Sequence, residues 1–140
     1  MSEPDDNGGY LCPYLYTIQD PVSGNWVAVD SESKLILQET PQSFCLVYSP
    51  ADEYFYIFSN VEQKFLMTNG SGGKITATGN GSPWSSFSML GNNDGGYSVQ
   101  SGDATSLTWT IQGDNSITGE DDASQGIAIQ DTFCFFASTS

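Results

Sequence analysis

One spacing recurs three times along this chain, and it limits the possible folds more than any other feature. The segments "YTI", "FYI" and "YSV" each place an aromatic residue two before an aliphatic one: Tyr16 and Ile18, Phe55 and Ile57, Tyr97 and Val99. The interval from Ile18 to Trp26 equals that from Ile57 to Phe65 and from Val99 to Leu107, so second strands are expected at "WVAVD", "FLMTN" and "LTWTI". Equal intervals again lead from Trp26 to Ile36, Phe65 to Ile75 and Leu107 to Ile117, landing on "LILQE", "ITATG" and "ITGED". A fourth run closes each unit at Phe44, Phe87 and Phe133, after connections of unequal length. A unit that repeats in this way cannot bury its own apolar face and must pack against its neighbours.

Between these runs lie turn signals such as "DPVSGN", "NGSGGK" and "GDNS", and no apolar 3.6-residue period is long enough for a helix. The chain is therefore read as all-β. Three units of four strands predict a β-trefoil: twelve strands in three pseudo-repeats, with a six-stranded barrel from first and fourth strands capped by three hairpins from second and third. Three propeller blades would close poorly, and a solenoid would need more conspicuous caps. The cap turns are expected at Asp30 to Lys34, Asn69 to Lys74 and Gly113 to Ser116. Residues 1–13 are assigned to an N-terminal arm and 14–140 to one domain, long enough to bury roughly two-thirds of its unfolded surface.

Alternation along the strands then assigns faces. Tyr16, Ile18, Phe55, Ile57, Tyr97 and Val99 are expected to point into the barrel with Phe44, Leu46, Phe87, Met89, Phe133 and Phe135. Their neighbours Cys45, Val47, Tyr54, Tyr56 and Phe58 must point outward, and a short hairpin brings these five into one external apolar patch. Contiguous apolar surface marks a contact, so a twofold homodimer through this patch is expected.

Composition removes several functions. With 3 Lys+Arg against 17 Asp+Glu the net charge is -14, which argues against nucleic-acid binding, since phosphate affinity depends on cationic side chains. There are 0 histidines, so triads built on Ser-His or Cys-His are excluded. The start "MSEPDDNGGYLCPY" has neither a basic opening nor an apolar core of signal-peptide length, and no stretch approaches a membrane span, so a cytoplasmic location is expected. Cys12, Cys45 and Cys134 form an odd set without short spacing, which fits reduced structural thiols. No cofactor or metal is expected. Asp121 and Asp122 sit in a polar connection without an apolar setting to separate their pKa values, and Asp114, Asn115 and Glu120 lack a calcium-loop signature. "NGSGGK" lacks the spacing of a phosphate loop and precedes a strand where a helix is required.

In architecture, size and acidity the chain resembles the β-trefoil proteins of mushrooms, among them lectins and protease inhibitors of the mycocypin and cocaprin types. "DGGYSVQS" followed by "LTWTIQGDNSITGED" also resembles single fascin-type modules. The inhibitor resemblance implies a protein, not an enzyme, that blocks papain-like cysteine proteases, and aspartic proteases as well, through surface loops. The Gln-x-Trp of ricin-type lectin repeats is absent, for the fourth strands read "QSFCL", "SSFSM" and "DTFCF". Should the chain bind a glycan instead, Trp84 in "GNGSPWSS" is the residue placed to stack on a sugar ring. Among the cap turns, "DSESK" (Asp30, Ser31, Glu32, Ser33 and Lys34) differs in lacking glycine, so its backbone loses less entropy on docking. It is the expected protease-contacting loop.

Overall fold

Short runs rich in β-branched and aromatic residues, each ended by Gly, Asn, Asp or Ser, form strands wherever one side can be buried. The computed structural model describes residues 15–50, 53–80, 85–91, 96–102, 107–121 and 132–137; the expected arm falls outside them. Its strands are β1 (Leu15–Gln19), β2 (Trp26–Val29), β3 (Leu35–Gln38), β4 (Phe44–Ser49), β5 (Tyr54–Ser59), β6 (Lys64–Met67), β7 (Thr76–Gly79), β8 (Ser86–Gly91), β9 (Tyr97–Ser101), β10 (Thr108–Ile111), β11 (Ile117–Glu120) and β12 (Cys134–Ala137). No α-helix occurs among the described residues.

Antiparallel pairing runs from β12 to β1, then through β4, β5 and β8 to β9. The circuit closes where Tyr97 and Phe133 exchange backbone hydrogen bonds of 2.8 and 2.9 Å. These six strands are the first and fourth of each unit, as expected for a β-trefoil. The hairpins β2–β3, β6–β7 and β10–β11 cover one end. Their edges interlock cyclically: Lys34 bridges Thr76, Lys74 bridges Thr118, and Ser116 bridges Ile36. Strand edges that would otherwise be open are thereby satisfied by one another.

The core is layered on the same threefold. Ile18, Ile57 and Val99 with Phe44, Phe87 and Phe133 fill the barrel, and Leu35, Ile75 and Ile117 with Val27, Leu66 and Trp109 fill the cap; all twelve are fully buried. Burial of each large side chain contributes about 1.5–3 kcal/mol. Trp109 wedges between Phe87 and Phe133, edge to face at 5.4 and 5.6 Å.

Two sequence expectations need correction. Tyr97 is 41% exposed, and Leu46, Met89 and Phe135 are only partly buried. They lie toward the barrel end away from the hairpins, where no equivalent of the cap layer occurs among the described residues. The repeat register is also offset. Thr108 pairs with Glu120 as Trp26 pairs with Gln38, so Thr108 rather than Leu107 matches Trp26. Leu35 rather than Ile36 matches Ile75 and Ile117: the amide of Leu35 donates to Ile75, and that of Ile75 to Ile117. The equal intervals concealed unequal loops. The turn between Asn69 and Lys74 is one residue longer than that between Asp30 and Lys34, and the stretch from Val99 to Thr108 is one residue longer than that from Ile18 to Trp26. Within β6–β7 the register shifts between Phe65 and Met67, bringing Phe65 opposite Gly79. A Cβ at Gly79 would stand 2.9 Å from the Phe65 carbonyl oxygen and clash with the Ser85 hydroxyl.

Candidate functional site

The turn between β2 and β3 is fixed from several sides. Asp30 Oδ1 accepts the amides of Glu32 at 2.8 Å and Lys34 at 3.0 Å, an Asx arrangement that adds to the backbone pairing across the turn. The Asp30 amide donates to the Lys34 carbonyl at 2.9 Å, and the Ser33 amide to the Asp30 carbonyl at 3.1 Å. Ser33 takes φ 65°, the left-handed region that a non-glycine residue enters only when its surroundings hold it there. Two contacts from the second unit do so: the Ala77 amide donates to the Ser33 carbonyl at 2.8 Å, and Ser33 Oγ donates to Glu62 Oε1 at 2.9 Å. Ser31 and Glu32 remain exposed at the tip, while Asp30, Ser33 and Lys34 are half-buried. Lys34 Nζ reaches Glu32 Oε1 at 3.2 Å in a surface pair of small energetic weight.

The other two turns are built differently. Asn69 Nδ2 donates to the Lys74 carbonyl at 2.8 Å and to Thr76 Oγ1 at 2.9 Å, across a turn whose Gly70 and Gly72 have φ 85° and 78°. In the third, Asp114 Oδ1 accepts the Ser116 amide at 3.0 Å and its hydroxyl at 2.6 Å, and these bonds hold the Asp114 carboxyl below its ordinary pKa. Asn115 adopts φ 68° there, the counterpart of Ser33. Thr118 Oγ1 donates to Glu120 Oε2 at 2.7 Å, so Asp114 and Glu120 serve their own hairpin. No group of His, Cys, Asp or Glu able to hold a metal ion occurs among the described residues.

Asp20 was missed by the sequence reasoning. It is fully buried, and its carboxylate accepts the amides of Val22 at 3.1 Å and Ser23 at 3.2 Å and the Ser23 hydroxyl at 2.7 Å. Ser59 and Ser101 occupy the same place in the other units, their hydroxyls accepting the amides of Glu62 at 3.1 Å and Leu107 at 2.8 Å. The signal was "DPVSGN", an Asp at the head of a Pro-Gly turn, which sequence reasoning treated as punctuation alone. Since its own loop uses this carboxylate, Asp20 orders the β1–β2 connection.

The register places Cys45, Val47, Tyr54, Tyr56 and Phe58 on one face: Cys45 lies opposite Phe58, Val47 opposite Tyr56, and Ser49 opposite Tyr54. It does not leave all five at the surface. Cys45 is 1% and Phe58 4% exposed, and the other three are half-buried. Phe65 covers part of the row, standing edge-on to Phe58 at 5.1 Å and to Tyr56 at 5.9 Å. Cys45 is disulfide-bonded and Cys134 is free, which corrects the expectation of three reduced thiols. Trp84, Asp122 and Cys12 lie outside the described residues.

No protein-family model matches the sequence, and no curated protein matches it. Solved structures do. A designed 3-fold symmetric protein, ThreeFoil, is 12% identical with a TM-score of 0.71, over 86% of this chain and 96% of its own. An endo-β-galactosidase from Clostridium perfringens that releases GlcNAcα1-4Gal is 10% identical with a TM-score of 0.74, over 94% of this chain and 34% of its own. Cry35Ab1 is 14% identical with a TM-score of 0.71, over 91% and 36%. The chain thus spans nearly all of the small designed protein and about a third of the two larger ones. At such identities the likeness shows the fold: this is a β-trefoil.

Proposed function

We propose that the chain is a non-enzymatic binding protein that inhibits papain-like cysteine proteases by lodging the tip of the Asp30–Lys34 turn in the substrate cleft. The observation behind this reading is the rigidity of that turn, which has an internal Asx bond network, a left-handed Ser33 held by Ala77 and Glu62, and an exposed Ser31–Glu32 tip. A loop already in its bound shape loses little freedom on docking, and occlusion needs no nucleophile. Aspartic proteases would be met by a different loop. Titration of papain-like and aspartic proteases with the chain, beside a variant with Ser31 and Glu32 both changed to Arg, tests the reading. Inhibition of the cysteine protease that the variant loses supports it; no inhibition by the parent chain removes it.

Carbohydrate binding is the second reading. Its support is the likeness to the galactosidase, about a third of whose chain this one covers, together with Trp84 as a stacking residue. A glycan array on which the chain is retained, and on which Trp84→Ala is not, would favour it.

A further inference from the structure

We infer that Asn69 is a covalent modification site: it deamidates through attack by the Gly70 amide, and the product loosens the hold of the second cap hairpin on the Asp30–Lys34 turn. Both reacting groups are open. Asn69 is exposed, its Oδ1 accepts no hydrogen bond among the described residues, and the Gly70 amide donates to none of them. Gly70 has φ 85°, and a Cβ built on it would meet nothing within 4 Å, so the following residue does not obstruct ring closure. Of the other described asparagines, Asn25 and Asn60 precede the bulky Trp26 and Val61, and the residue after Asn80 lies outside the described ones. Asn115 is followed by the Ser116 amide, which is already bonded to Asp114 Oδ1 at 3.0 Å.

The Gly70 nitrogen gives its proton to solvent and bonds to Asn69 Cγ, the Cγ–Nδ2 bond breaks, and ammonia departs to leave a five-membered succinimide. Water then opens that ring at either carbonyl, giving aspartate or isoaspartate at position 69 and restoring the proton to the Gly70 nitrogen. What is lost is a clamp. Asn69 Nδ2 donates to the Lys74 carbonyl at 2.8 Å and to Thr76 Oγ1 at 2.9 Å, which fixes the start of β7. From there the Ile75 carbonyl accepts the Leu35 amide, and the Ala77 amide donates to the Ser33 carbonyl, both at 2.8 Å. A carboxylate in place of the amide faces the Lys74 carbonyl as acceptor against acceptor. Isoaspartate also adds a methylene to the backbone of a turn whose Gly72 amide and Gly73 carbonyl bond to Gly119 at 2.8 and 2.9 Å. The Asp30–Lys34 turn loses this support whether or not it meets a protease. The two Nδ2 bonds also tether the leaving nitrogen, so the folded chain reacts more slowly than a free peptide.

Cleavage after Lys64 and Lys74 by a lysine-specific protease releases a peptide in which Asn69 is the sole asparagine or glutamine. The full chain is aged at mildly alkaline pH and body temperature, digested at mildly acidic pH, and this peptide weighed beside a synthetic copy aged in parallel. The gain in mass that exchange of amide for carboxyl brings, with isoaspartate fragments, is expected to appear severalfold more slowly than in the synthetic copy. Thr76→Val, which removes one tether, should quicken it, and Gly70→Ala should slow it severalfold, thermal unfolding confirming that both variants are folded. A peptide that keeps its mass while the synthetic copy converts, or conversion as fast in folded Gly70→Ala as in the parent, would overturn the inference. Hydrogen exchange at the Ala77 amide reads the consequence and should rise severalfold in the aged chain and in Asn69→Asp. Unchanged exchange in both would show that the modification does not loosen the turn.

Discussion

The backbone amide of Leu35 donates to the carbonyl of Ile75 at 2.8 Å, joining two hairpins far apart in sequence at the centre of the cap. Ile75 passes the pattern on, its amide donating to Ile117 at 3.0 Å. Each hairpin thus borrows hydrogen-bond partners from a neighbour, and none is complete alone. Ile75→Ala removes side-chain packing in all three units' shared layer and should destabilise the fold by about 2–5 kcal/mol, read as a lowered denaturant midpoint with an unchanged slope.

Asp30→Ala deletes the acceptor for two amides in the turn. The expected cost is about 1–2 kcal/mol of stability. On the inhibitor reading, affinity for a cysteine protease falls as well, because the tip must then be ordered on docking. Asp30→Asn keeps the acceptor oxygen and should retain most of both.

Trp109 is fully buried, and its indole Nε1 has no hydrogen-bond partner among the described residues. Trp109→Ala should cost about 3–5 kcal/mol. Trp109→Phe is expected to cost much less, since it keeps a ring against Phe87 and Phe133 and discards a buried donor that has no acceptor. Thermal unfolding of the two variants side by side checks the difference.

The Asp114 carboxyl titrates below its ordinary value because Ser116 donates to it from both hydroxyl and amide. A depressed carboxylate pKa adds stability that is fully present above the unfolded value, 3.8, and is lost as pH falls through the folded one. Ser116→Ala removes the larger of the two donors, so the Asp114 titration followed by NMR should move upward. The acid limb of the stability curve should flatten accordingly.

Much of the architecture was legible because barrel strands alternate strictly: Ile18, Ile57 and Val99 with Phe44, Phe87 and Phe133 read directly as an inward ring, and the structure buries all six. The cap was harder. Counting from Trp26, Phe65 and Leu107 treats turn and strand residues alike, and the extra glycine-turn residue before Lys74 and the extra residue ahead of Thr108 gave matching totals for unmatched positions. Position in the barrel was likewise not encoded in alternation, so Tyr97 and Ile18 looked equivalent although one lies near the open end and the other beneath the hairpins. At the candidate turn, the absence of glycine in "DSESK" was visible. The hold on Ser33 was not, because Glu62 and Ala77 belong to the next unit and only the folded cap brings them near.

Strands β1 and β12 lie side by side, with Tyr16 opposite Ala137 and Gln19 opposite Cys134. The beginning and end of the described chain therefore sit at one seam of the barrel, equivalent in kind to the seams that β4–β5 and β8–β9 bridge with continuous backbone. Joining that seam with a short linker and cutting one of the others would leave every strand pair in place, so the order in which the three units are read is a property of the gene and not of the folded object. Such a circular permutant changes which unit emerges first from the ribosome, and with it the contacts that must wait for the last strand.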